Sequence, residues 1–279
     1  MTPESGGTVD RIVDDIVSTD DLRVMERPNL ARATNYLVGG GANFAADRAA
    51  VQTLLAMDPD VGLRFRASRA FVGRAVRAAL DTGCDQFLEL GSGIPSPGGL
   101  HSFVGPADAA VVYVDVDPVA VAHTCELLAA QKEADRTAAV RVDLRDAGRV
   151  LDEVRATGLV DLDRPLTVVC NAVLQWIADS DADDLAEVLE RYREALAPGS
   201  LLVLSVPHPD LLEGAEREEV PPIIEAAVAP LRLRSRSELT AILGRWEVLG
   251  PGIVDVVDWP VVSGTEPAGF YAVMCTARD

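Results

Sequence analysis

Short apolar runs at 87–90, 111–114, 139–142, 167–170 and 201–206 punctuate the chain, rich in Val and Leu and nearly free of charge. The stretches between them repeat apolar residues at helical spacing. Continuous rather than alternating apolarity marks strands buried on both faces, and the strand–helix alternation marks a parallel sheet covered by helices. Pro198-Gly199 ends the helix ahead of the fifth run. Two later runs, 246–250 and 269–276, read as a closing antiparallel pair. The pattern predicts an α/β fold: a doubly wound, Rossmann-like seven-stranded sheet with an antiparallel last strand.

Upstream of the first strand the periodicity is helical. Val9, Ile12, Val13, Ile16 and Val17 form an apolar stripe that needs a surface to dock on. Helical patterns also cover 45–57 and 63–80, and a shorter one before them ends in Gly39-Gly40-Gly41, a hinge or close-approach loop. The expected organisation is an N-terminal helical extension or lid, 1–82, followed by a nucleotide-cofactor domain, 83–279. A homodimer contact is the other role open to the extension.

Three strands end in acids. The first runs into Glu89-Leu-Gly-Ser-Gly93, where a glycine turn brings backbone N–H groups close to a ligand and Glu89 favours a cationic one. Asp115 ends the second strand, at the distance where a carboxylate accepts both hydroxyls of a ribose. Asp143 ends the third and can accept from an adenine amino group, so the set is adenosine-shaped; helix or loop capping is the competing role for both aspartates. A dinucleotide fingerprint fits less well: its third glycine position is Ser96, prolines interrupt the helix start, and Glu89 would face a pyrophosphate.

Composition narrows the partners. The formal charge of −19 over 279 residues opposes nonspecific binding to nucleic acid or an anionic membrane. The basic stretch Arg64-Phe-Arg-Ala-Ser-Arg69 is expected to be a solvated helix face. No apolar run is long enough to span a bilayer and the N-terminus has no leader pattern, which predicts a cytoplasmic protein. Cys84, Cys125, Cys170 and Cys275 lack metal-ligand spacing, so reduced thiols and no metal are expected. A single lysine, Lys132, amid abundant Ala, Val, Asp and Arg suggests a GC-rich bacterial source.

The motifs Glu89 to Gly93, Val114-Asp-Val-Asp-Pro118, Val142-Asp143 and Cys170-Asn-Ala-Val-Leu-Gln-Trp176 resemble class I S-adenosylmethionine-dependent methyltransferases. More narrowly, the chain from Arg27 to Tyr271 resembles the actinobacterial S-adenosyl methyltransferase family once catalogued as a domain of unknown function. Arg27-Pro with Ala31-Arg32, Tyr36-Leu37, Gly39-Gly40, Asn43-Phe-Ala-Ala-Asp-Arg48, Leu144-Arg-Asp146 and Ala195-Leu-Ala-Pro-Gly-Ser200 carry that likeness. Gly41 and Ala42 stand where the family usually has Lys-Asp, and Val206 where a histidine often follows the fifth strand.

The resemblance implies S-adenosyl-L-methionine as cofactor and S-adenosyl-L-homocysteine as product. It places Glu89, Gly91 and Gly93 at the methionyl end, Asp115 at the ribose and Asp143 at the adenine, with Ser92, Val116, Leu144 and Ala172 beside them. Asn171, Gln175 and Trp176, beyond the fourth strand, are expected to face the donor or a small-molecule acceptor. Arg27, Arg32, Asn35, Tyr36, Asn43 and Phe44 lie in the segment that would close over the pocket. There an arginine would pair with a carboxylate, and Tyr36 or Phe44 would pack on the sulfonium or only anchor the lid. His208, Asn171 and Tyr36 are the catalytic candidates, His208 being the histidine placed to take a proton. His101 and His123 are expected to be structural.

Methyl transfer to a small molecule of specialised metabolism, by in-line displacement, is the leading function. Two alternatives stay open: consumption of the sulfonium without an acceptor, releasing methylthioadenosine, and a cofactor-binding sensor without turnover.

Overall fold

A computed structural model describes residues 26–95, 99–105, 109–177, 182–212, 216–261 and 264–278. The apolar stripe of Val9 to Val17 and the proposed third glycine position, Ser96, lie outside the described residues. Helices α1 (Leu30–Leu37), α2 (Ala45–Met57) and α3 (Val61–Asp81) precede β1 (Gln86–Leu90). Then follow α4 (Leu100–Val104), β2 (Ala110–Asp115), α5 (Pro118–Ala130), β3 (Thr137–Arg141), α6 (Ala147–Ala156), β4 (Thr167–Asn171), α7 (Ala182–Ala195) and β5 (Leu201–Pro207). The chain closes with α8 (Glu216–Ala227), α9 (Arg236–Leu243), β6 (Glu247–Val248), β7 (Val254–Asp255) and β8 (Phe270–Thr276).

The strands form one sheet in the order β3-β2-β1-β4-β5-β8-β6, with two-residue β7 also pairing β8. β1 to β5 pair in parallel, while β8 runs antiparallel to β5 and β6. Seven strands thus lie on the main path, as the sequence predicts, and β7 is an eighth short pairing on β8. The order reverses between β1 and β4, opening the crevice in which α/β sheets hold their ligands.

Both faces of the central strands are buried, which explains their unbroken apolar character. Leu88, Leu90, Val168, Leu202 and Leu204 pack against one helical layer, with Val150, Val154, Leu185, Leu189 and Leu239 from α6, α7 and α9. Phe87, Val111, Val169 and Val203 face the other, where α3 contributes Phe71, Val72, Ala75, Val76 and Ala79. Cys84, Cys170 and Cys275 are buried free thiols and Cys125 is half-buried. No helix among the described residues is long and apolar enough to cross a membrane.

Helices α1 and α2 form a separate small roof, packed through Ala33, Leu37 and Val51 with Leu54, Val61 and Phe65 against them. The centre of this roof is ionic. Arg32 Nε lies 2.7 Å from Asp47 Oδ2, with side-chain exposures of 1% and 0%. Asp47 also accepts the backbone N–H of Asn29 at 2.8 Å and of Phe44 at 2.7 Å, so one carboxylate ties both helix starts together. Removing one partner of a buried, hydrogen-bonded pair costs about 3–5 kcal/mol, because the other charge stays desolvated. Asp47→Ala should therefore lower the urea unfolding midpoint by that order of free energy at an unchanged slope; an unaltered midpoint would show that the pair is dispensable.

Candidate active site

The glycine turn after β1 is the geometric centre of the site. Gly91 has φ +64°, and a Cβ there would overlap Val173 Cγ2 of the loop after β4, so only glycine lets the two loops touch. The Ser92 N–H donates to the Val114 carbonyl at 3.0 Å, and the Gly93 N–H to Asp115 Oδ2 at 2.7 Å. Asp115 Oδ1 accepts the Asp117 N–H at 2.9 Å. Burial pushes the Asp115 carboxyl above the ordinary carboxylate range, against the pull of the Asp117 and Gly93 N–H groups.

Around this turn opens a cavity of about 700 Å³ at the carboxyl ends of β1, β2 and β4. Glu89, Gly91, Ser92, Gly93, Asp115 and Val116 line it at its centre, flanked by Asp143 and Leu144 after β3 and by Asn171 and Ala172 at the end of β4. Asn35 and Trp176 join them from α1 and the loop after β4. Asp143 is held by Arg145, whose Nη2 lies 2.7 Å from Oδ2; those hydrogen bonds keep its carboxyl below the ordinary range. Asn171 is less free than a catalytic role requires. Its Oδ1 accepts from Ser68 and Ser205, each at 2.8 Å, and this locks the side chain between α3 and β5. Asn171 thus lines the cavity with its Oδ1 already engaged.

The roof residues separate into two groups. Asn35 is buried, and its Oδ1 accepts the Ala42 N–H at 3.0 Å; a Cβ on Gly40 would overlap its side chain, which makes the glycine run a close-approach loop. Arg27, Arg32, Tyr36, Asn43 and Phe44 line neither the cofactor cavity nor the chamber beside it. Arg32 is spent on Asp47 and on the Arg27 carbonyl, 2.7 Å from its Nη2. Phe44 lies under the Arg32 guanidinium, 5.1 Å from its ring centroid, and its N–H donates to Asp47. Asn43 bridges the Gly40 carbonyl and Arg48. Tyr36 packs on the roof core, with its hydroxyl 3.4 Å from Gln52 Nε2. These five bond and pack within the roof and are not part of the lining of either space.

Besides Arg145, the cations that reach the cavity come from the stretch expected to be a solvated face. Arg69 Nη1 lies 2.5 Å from Glu89 Oε1, and Glu89 is 3% exposed. Arg69 also stacks on Phe103, 5.3 Å from the ring centroid, and Arg66 lines the same cavity while donating to the Leu37 carbonyl. A buried carboxylate needs a cation in the fold, so Glu89 was the signal that α3 had to supply one. Asp117, also missed, lines the cavity with Oδ2 buried and lacking a partner among the described residues.

Beyond Leu30, Thr34, Phe65 and Trp176, which border both spaces, lies a second chamber of about 880 Å³. Gln175 and His208 are in its wall. The His208 ring lies over Tyr271 with centroids 4.7 Å apart, and its Nε2 is 3.7 Å from Asp255 Oδ2. Asp255 accepts the N–H groups of Val257, Ala268 and Gly269. Burial pushes its carboxyl up, but His208 and these donors outweigh it and leave the value lowered. Asp255 lies on a two-residue strand and carries no local sequence signal. His101 is tied to Tyr113 and Gln131, at 2.6 and 2.8 Å, and His123 is exposed on α5; neither borders either space.

The cavity suits an adenosyl sulfonium. Its lining gathers the carboxylates of Glu89, Asp115, Asp117 and Asp143, with Asp117 Oδ2 lacking a partner among the described residues, and the Arg69 guanidinium beside Glu89, a set matching the hydroxyl, amino, ammonium and carboxylate groups of such a molecule. Comparisons with known proteins agree. The family profile described as S-adenosyl methyltransferase matches residues 19–271. A candidate methyltransferase from Thermobifida fusca YX superposes with a TM-score of 0.82 at 27% identity, over 94% of this chain and 100% of its own. A DUF574 family protein from Streptomyces avermitilis MA-4680 gives 0.80 at 30% identity, over 90% and 98%. No curated protein matches the sequence.

A double-mutant cycle measures the pair at the centre of this site. Arg69→Ala and Glu89→Gln should couple by about 1–3 kcal/mol in urea unfolding, as contacting charged residues do; strictly additive losses would show that the two do not interact.

Proposed function

The chain belongs to the S-adenosyl methyltransferase family, and on that premise we propose that it transfers the methyl group of S-adenosyl-L-methionine to a small molecule held in the second chamber. The observation that carries this reading is the shared wall. Leu30, Thr34, Phe65 and Trp176 border both the cofactor cavity and the chamber, so a donor on one side and an acceptor on the other can meet. A protein that only consumed or sensed the sulfonium would need no such chamber.

When bound, the donor supplies an electrophilic methyl whose bond to sulfur breaks, the electron pair staying on sulfur, as the acceptor's lone pair forms the new bond. The chain's own residues align and exclude water. Asp115 and Asp117 hold the ribose hydroxyls, and Asp143 and Leu144 the adenine. Arg69 pairs with the methionyl carboxylate while Glu89 holds its ammonium. His208 Nδ1 takes the acceptor's proton, and Asp255 orients the ring from Nε2. The functional division falls between α2 and α3: the roof is α1 and α2, while α3 belongs with the sheet and its site.

Calorimetric titration with S-adenosyl-L-methionine, followed by mass analysis of the incubated donor, tests this reading. Saturable binding is expected, with S-adenosyl-L-homocysteine appearing only when acceptor is added; methylthioadenosine accumulating in its absence would sink the proposal.

The donor's affinity should also follow Asp115. Its ionised form is the one that accepts two ribose hydroxyls, and its carboxyl is raised by burial. Affinity is thus full at neutral pH and declines on acidification sooner than an ordinary aspartate would allow. Titrations between about pH 7 and pH 4 should show that limb in the wild type, and weaker binding without it in Asp115→Asn.

A further inference from the structure

The chamber wall has a chemistry of its own, and two of its polar atoms have no hydrogen-bond partner among the described residues. Gln175 is 1% exposed. Its orientation is fixed, because Nε2 donates to the Ala172 carbonyl at 2.7 Å, and Oε1 is left without a partner among the described residues. His208 Nδ1 is likewise buried and without a hydrogen-bond partner among them, the exposed Asp210 carboxylate being 3.8 Å away. The buried Asp255 carboxylate faces Nε2 at 3.7 Å. It is less screened than Asp210, which favours the tautomer carrying its hydrogen on Nε2 and leaves Nδ1 to accept. Two buried acceptors lining one chamber call for a ligand that donates more than once.

The charge points the same way. Four carboxylates, of Asp58, Asp210, Glu219 and Glu266, border the chamber against one guanidinium, Arg64, and Arg64 is already paired with Asp58 at 2.8 Å. A phosphate or carboxylate ligand would meet net repulsion, while a cation is drawn in. The aromatic rings of Phe65, Trp176 and Phe270 in the same wall favour a cation further. The rest of the lining is largely aliphatic, and about 880 Å³ is ample for a drug-sized molecule.

We propose that the acceptor is a bulky apolar amine, its N–H groups donated to Gln175 Oε1 and His208 Nδ1; the assignment rests on the methyltransferase reading above. An amine supplies two or three N–H donors, an alcohol one and an ionised carboxylate none. An ammonium must lose a proton before its nitrogen has a lone pair to share, and Nδ1 of His208 receives that proton.

The probes are primary arylalkylamines on bicyclic and tricyclic hydrocarbon skeletons, each with the alcohol and carboxylate of the same skeleton; 2-(1-naphthyl)ethylamine, 2-(1-naphthyl)ethanol and 3-(1-naphthyl)propionate form the smallest set. Each is titrated calorimetrically into protein saturated with S-adenosyl-L-homocysteine. Amines should bind about tenfold or more tighter than their alcohols, and carboxylates weakest. Gln175→Leu should weaken amine binding by about ten- to a hundredfold while the titration with S-adenosyl-L-methionine is unchanged, since Trp176 Nε1 still satisfies the Ala172 carbonyl at 3.2 Å. Alcohols or carboxylates binding as well as the amines, no skeleton binding at all, or an indifferent Gln175→Leu would each overturn the assignment. A protein that fails to bind S-adenosyl-L-methionine itself would instead overturn the methyltransferase reading.

Discussion

A carboxylate buried at the end of the central strand must be answered by a cation, and Glu89 is answered by Arg69 from α3. That requirement fixes more than one contact. It holds the middle of a twenty-one-residue helix against the ligand end of β1, while Phe71, Val72 and Ala75 of the same helix cover the sheet. Helix α3 is thereby both a layer of the core and a wall of the site. Phe65 extends that wall into the second chamber, and Ser68 fastens α3 to Asn171 and Ser205 at the ends of β4 and β5.

The remaining acids share the division of labour. Asp115 stitches the glycine turn to its own strand through the Gly93 and Asp117 N–H groups. Asp47 does the same for the roof, and Asp255 for the loop behind His208. In each case one carboxylate accepts several backbone donors that no regular element could satisfy, the usual solution for irregular chain that is buried. A chain with a formal charge of −19 thus spends several of its acids on fixing loops, not on the surface.

The strands and their order of polarity were legible because the central strands are buried on both faces and read as unbroken apolar runs. Glu89, Asp115 and Asp143 were legible for a related reason: an acid ending such a run stands out. Arg66 and Arg69 were not, since arginines at helical spacing look the same whether they meet water or a buried acid. Asp255 was hidden because its partner, His208, lies far away along the chain and its strand is two residues long. The roof shows the opposite case. Arg32, Tyr36 and Phe44 are residue types that suit a ligand, but the face each presents is set by Asp47 and by the roof's own small core, which no local pattern reveals.

The two spaces share part of their lining, since Leu30, Thr34, Phe65 and Trp176 each border both. Residues that feel two ligands at once make the two binding free energies inseparable. By whatever factor an occupied cofactor cavity alters the affinity of its neighbour, the neighbour must return the same factor. Reciprocity, and not a fixed order of arrival, is what a shared wall imposes on any two molecules that occupy the two spaces.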